Sequence, residues 1–63
     1  MNKGIVRLTI KFNRNLNEYS VNPYINGKRN EDQTYYTDDK QDAQDTKLAM
    51  EKEYLAKGFI IAQ

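Results

Sequence analysis

Val6, Leu8, Ile10 and Phe12 alternate with Arg7, Thr9, Lys11 and Asn13, a period of two that predicts a strand with one buried face. Asn13-Arg14-Asn15-Leu16-Asn17 follows as a polar connector, and asparagine accepts the left-handed backbone that turns require. A second strand is expected to place Tyr19, Val21 and Ile25 on one face and Ser20, Asn22 and Tyr24 on the other. Pro23 has no N–H to give to a ladder, so this strand belongs at an edge or a bulge. Asn26-Gly27 is a strong hairpin signal, because both residues tolerate positive φ. The segment from Lys28 to Gln33 is too polar for a core, and Thr34-Tyr35-Tyr36-Thr37 is the next β-prone run. The pattern reads as a three-stranded antiparallel meander with a long or irregular second hairpin.

The character changes after Thr37. From Lys40 to Lys57 there is no Gly or Pro and good helix formers dominate. Thr37 or Asp38 is the expected N-cap, with Asp38, Asp39 and Asp42 at the positive end of the helix dipole. Gly58 is the expected terminator. At about 100° per residue, Ala43, Met50 and Tyr54 share one helix face. Leu48, Ala49, Leu55 and Ala56 gather roughly opposite. A helix on a single sheet needs only one apolar stripe. Either Phe59-Ile60-Ile61 folds back over the second stripe, or its small Ala residues simply tolerate exposure, or Leu48 and Leu55 meet a partner or a second copy in a weak homodimer. The expected fold class is α+β: a three-stranded antiparallel meander packed on one C-terminal helix, with a possible short final strand (β-β-β-α-β), as one domain over residues 1–63.

Composition narrows the chemistry. The 63 residues contain no Cys and no His, which removes disulfides, thiolate or imidazole metal ligands and His-based acid–base catalysis. Neither a membrane span nor the apolar core of a signal peptide is visible, so a cytoplasmic protein is the expectation. Asp38, Asp39, Asp42 and Asp45 lack the spacing of a calcium loop, and their place at a helix start accounts for them. No enzyme, metal or cofactor is expected. Charge, by contrast, is sorted by position. Residues 1–30 carry six basic side chains and one acid, Glu18, whereas residues 31–63 carry four lysines and eight acids. The halves are therefore +5 and −4 within a net charge of +1. Such segregation suits an anionic partner on one side, or a self-complementary surface.

If the even positions of the first strand face the core, Arg7, Thr9 and Lys11 emerge together on the other face. Ser20, Asn22 and Tyr24 of the neighbouring strand join them. Cations, amides, hydroxyls and an aromatic are groups that contact phosphates and base edges, and strands can enter a major groove as a ribbon. Arg14, Lys28 and Arg29 extend the charge to the ends of the sheet. A solvated outer face with charges that protect a sheet edge would use the same residues.

Tyr19-Ser20-Val21, Tyr24-Ile25-Asn26-Gly27-Lys28-Arg29, Tyr35-Tyr36-Thr37 and Asp42-Ala43 together resemble the amino-terminal arm-type DNA-binding domain of phage and transposon integrases. The resemblance covers about residues 5–57. It implies a three-stranded sheet lying in the major groove of DNA with a helix packed behind, and contact roles for Arg7, Thr9, Lys11, Arg14, Asn22, Tyr24, Lys28 and Arg29. This chain departs from that pattern in its acidic helix, its Phe59-Ile60-Ile61 tail and the lack of an accompanying catalytic domain. A second expectation is a small phage-type protein that binds and inhibits a host protein through its acidic helix or its sheet face. Leu48-Ala49, Tyr54 and Gly58-Phe59 resemble the helix-to-strand passage of a phage inhibitor of bacterial RNA polymerase, with spacing that differs by a residue.

Overall fold

The computed structural model describes residues 3–62. Strands β1 (Ile5–Asn13), β2 (Glu18–Ile25), β3 (Lys28–Arg29) and β4 (Tyr35–Thr37) precede a helix, α1 (Lys40–Ala56), and a last strand, β5 (Ile60–Ile61). One sheet holds all five strands in the order β3-β2-β1-β5, with β4 also paired to β2. The α+β class and the single helix agree with the sequence pattern. The three-stranded antiparallel meander does not, because the sheet is mixed. The expected third strand, Thr34 to Thr37, is present as β4 and pairs antiparallel with β2. The polar segment before it adds the two-residue β3 and a 3-10 turn at Glu31–Gln33, and β5 runs parallel to β1.

Pro23 accounts for the break between β3 and β4. Asn26 N donates to Ile5 O at 2.8 Å, so even-numbered residues of β2 bond toward β1 and odd-numbered ones toward the opposite edge. On that edge β4 pairs with Tyr19 to Val21 and β3 with Tyr24 and Ile25. The missing N–H of Pro23 points into the gap between them, while its carbonyl accepts from Asn30 N at 2.8 Å. A ladder running past Pro23 would lack a donor there. The chain leaves the sheet for the length of the 3-10 turn instead.

Both hairpin signals are realised. Asn26 (φ 52°) and Gly27 (φ 88°) form the two-residue turn between β2 and β3, and the Asn26 side chain accepts from Ile5 N at 2.9 Å. At the other end Asn13 Oδ1 accepts from Asn15 N and Leu16 N, and Asn17 takes φ 49°.

Val6, Leu8, Val21, Ala43 and Tyr54 are buried, with Ile10, Tyr19, Ile25, Met50, Phe59 and Ile61 packed around them. Ala43, Met50 and Tyr54 are therefore the inward helix face. Burial does not continue along β1. Phe12 is 47% exposed and Leu16 66%, because the β1–β2 hairpin runs on past the layer that covers Val6 and Leu8. Phe12 and Tyr19 rest on each other instead, ring centroids 4.7 Å apart.

The N-cap is neither expected candidate: it lies one residue beyond Asp38 and two beyond Thr37. Asp39 is the N-cap, accepting from Gln41 N and Asp42 N. Thr37 still belongs to β4, and its hydroxyl accepts from Asp39 N at 3.2 Å. At the C-terminus Gly58 N donates to Leu55 O and Phe59 N to Tyr54 O, both at 3.0 Å. This is the Schellman pattern, with Gly58 in the left-handed region at φ 99°. Its apolar contact is Phe59 edge-on to Tyr54, centroids 5.4 Å apart. The turn directs Ile60 and Ile61 along β1, where Ile60 N reaches Gly4 O and Ala62 N reaches Val6 O. The tail thus extends the sheet and does not cover the second helix stripe, so Leu48 and Leu55 stay more than half exposed. Among the described residues no helix is long and apolar enough to cross a membrane.

Two consequences are measurable. The added methyl of Gly58→Ala meets only an ordinary van der Waals contact, Lys3 Cγ at 3.8 Å, so its penalty is left-handed backbone strain of about 1 kcal/mol, to be read from urea unfolding. On the helix side of β4, the Tyr35 hydroxyl donates to Asp42 Oδ2 at 2.6 Å. That hydrogen bond first, then desolvation and the carboxylate's charge, raise the Tyr35 pKa above its usual 10.0. A phenol with a raised folded-state pKa contributes stability that is complete below 10.0 and lost as pH rises through the higher value. Ultraviolet titration should show a late-ionising component that disappears in Tyr35→Phe.

Candidate nucleic-acid interface

Directly paired residues project to the same face of a sheet, so the pairing defines the surface opposite α1. Tyr24 stands between Arg7 on β1 and Arg29 on β3. Ser20 stands between Lys11 on β1 and Tyr36 on β4. Between these two rows lies the pair Thr9 and Asn22. Arg7, Lys11, Arg29 and Tyr36 are exposed, and Tyr24 is half-buried. At strand spacings, Arg7 and Lys11 are about 13 Å apart along β1, and Arg7 and Arg29 about 10 Å apart across the sheet.

A groove of about 590 Å³ runs along this face, its walls including Ile5, Arg7, Thr9, Lys11, Tyr24 and Ala62. Ile5 and Ile60 are paired at its rim and about half exposed. Cations beside an aromatic and an apolar floor are suited to a polyanion with planar groups, such as nucleic acid, where phosphates meet Arg and Lys and a base or sugar meets the tyrosine. The acids of α1 lie on the helix behind the sheet. Off the helix, Glu18 pairs with Asn13 near the hairpin tip on the basic face, Glu31 and Asp32 lie in the 3-10 turn between β3 and β4, and Asp38 and Asp39 lead into α1.

The eight residues expected at the site do not all share it. Arg7, Lys11, Tyr24 and Arg29 form the surface described above, and Arg14 lies exposed in the turn at the hairpin tip. Lys28 pairs with Ile25 and projects to the opposite face from Arg29. The expectation that Asn22 contacts a base does not fit its position. It is only 3% exposed, and its amide nitrogen donates to Ser20 Oγ at 3.1 Å and more weakly to Ser20 O. Thr9 is half-buried, and its hydroxyl oxygen is buried without a hydrogen-bond partner. The middle of the face is therefore structural, and the charged groups flank it. Tyr36 was not foreseen at the site. Adjacent Tyr35 and Tyr36 must point to opposite faces, but which one faces outward depended on a register that only the break between β3 and β4 sets.

No acidic cluster able to hold a metal ion forms among the described residues. No family model matches the chain, and comparisons with curated proteins and with solved structures likewise gave no match.

Asn22→Ala removes a buried amide and leaves Ser20 without that donor. It should lower stability by about 1 kcal/mol in chemical unfolding, as a buried structural residue would and a surface contact residue would not.

Proposed function

We propose that this chain is a small non-enzymatic DNA-binding protein, of the kind found in phages and mobile elements, that uses the outer face of its sheet. One observation carries the reading: the pairing aligns Arg29, Tyr24 and Arg7 in one row and Tyr36, Ser20 and Lys11 in another, on the face that α1 leaves open. The major groove of B-DNA, about 12 Å wide, admits a two-stranded ribbon, and β1–β2 supplies one. Arg7, Lys11 and Arg29 bind phosphates, Arg14 reaches a flanking phosphate from the hairpin tip, and Tyr24 and Tyr36 meet bases or sugars. Lys28 contributes only long-range attraction. The same orientation is what the sequence resemblance to integrase arm-type domains implies, with the acidic helix turned away from the DNA.

Three or four neutralised phosphates correspond to a log–log salt slope of about −3 to −4 on duplex DNA. Titration of mixed-sequence duplex at low salt should show binding at micromolar protein. Replacing Arg7 and Lys11 together by Ala should lower the slope magnitude by about 2, whereas Lys52→Ala on the helix should change little. Absence of binding at tens of micromolar protein would sink this reading.

A second reading rests on Leu48 and Leu55, exposed on the helix at 57% and 56%. It takes the chain as a modulator of a host protein that docks on the helix. Recovery of one stoichiometric protein from nuclease-treated lysate, lost in a Leu48→Ser, Leu55→Ser variant, favours it over the first.

A further inference from the structure

β1 is covered on one edge by β2 for its whole length, but β5 covers its other edge only at Ile5 and Val6. Because Ile60 and Ala62 bond to Gly4 and Val6, the even-numbered residues of β1 direct their N–H and C=O groups to that side. Beyond β5, the backbone groups of Leu8, Ile10 and Phe12 therefore face an edge with no strand beside it among the described residues. A notch of about 580 Å³ marks where β5 ends, lined by Arg7, Leu8, Thr9, Lys47, Glu51 and Ala62. Natural sheets shield such edges with inward charges, proline or bulges. Here the side chains facing the helix layer at the bare stretch are Leu8, Ile10 and Phe12.

We propose that this edge pairs with the same edge of a second copy, antiparallel about a two-fold axis through Ile10, to give one continuous ten-stranded sheet. The reading does not rest on nucleic-acid binding. It rests on the register, because only this one uses the whole free edge. With Ile10 opposite Ile10, Leu8 faces Phe12 of the second copy, and the pairing stops there because Ala62, bonded to Val6, already lies beside Arg7. The incoming strand turns away at Asn13, the last residue of β1, where β5 ends. A shift by two residues one way drives Phe12 of the second copy against Val6, whose edge Ala62 already occupies. The same shift the other way sets Lys11 directly against Lys11.

In the proposed register three hydrogen-bonded pairs supply about six backbone bonds, and the half-exposed Phe12 is covered by Leu8. On the outer face Thr9 lies opposite Lys11, so no like charges are directly paired. The two Lys11 side chains remain diagonal neighbours, within the roughly 7–8 Å at which side chains still interact across strands. Their repulsion keeps the dimer weak in low salt, and screening strengthens it.

Sedimentation equilibrium of the intact chain, from micromolar to millimolar and without nucleic acid, tests this. The expected result is a monomer–dimer equilibrium that tightens several-fold between about 0.05 M and about 0.5 M salt as the Debye length contracts. A chemically synthesised chain with N-methylated Ile10 loses only an edge donor that bonds nothing within the monomer. It should keep the parent circular dichroism and dimerise at least about tenfold more weakly. Phe12→Lys, at a position already half exposed, should do the same. A monomer at every concentration and salt overturns the proposal, and so does a dimer indifferent to N-methylation at Ile10.

Discussion

The register between β1 and β2, eight opposed pairs from Val6–Ile25 to Asn13–Glu18, is the constraint on which both faces of the molecule depend. A slip by one residue would send Val6 and Leu8 to solvent and Arg7 and Lys11 into the helix layer. The ladder is held at both ends by asparagine. Asn26 binds Ile5 through its main-chain N–H and its side-chain oxygen, and Asn13 closes the distal turn. The first of these requires a bare Cα at Gly4, where a Cβ would lie 2.7 Å from Asn26 Oδ1. Charge sorting along the chain thus becomes charge sorting in space because two asparagines and one glycine forbid the alternative alignments.

Much of this was legible in the residue pattern. Alternation in β1, the Asn-Gly turn, the inward helix face of Ala43, Met50 and Tyr54, and the stop at Gly58 are local, each set by backbone sterics or by one period. What escaped was non-local. The break between β3 and β4 follows from the direction in which Pro23 presents its missing N–H, and that requires knowing which edge of β2 bonds to β1. The parallel course of β5 follows from a turn geometry that carries no record of its destination. Asn22 sits where alternation places it, opposite Thr9, but a central strand is covered on both sides. Alternation reports direction, not depth.

A core of so few buried apolar side chains belongs to a domain near the lower size limit for unaided folding. The helix is joined to the sheet at two points more specific than area burial: the Tyr35–Asp42 hydrogen bond at its start and the Tyr54–Phe59 contact at its end. Lys57 lies over the Tyr54 ring at 5.7 Å, so the same tyrosine receives an aromatic edge and a cation at the point where the chain turns back. In a domain this thin, such paired contacts fix the angle of helix to sheet where bulk packing would leave it loose.

The parallel pairing of β1 with β5 joins the first strand of the domain to the last. A chain emerging from the ribosome presents the β1–β2 hairpin early, with local partners on one side only. The second side of Ile5 and Val6 stays bare until residues 60 and 61 have appeared and α1 has formed between them. Long loops must close before such a contact yields anything. Closing the edge of the sheet therefore brings together the two segments of the fold that lie farthest apart in sequence.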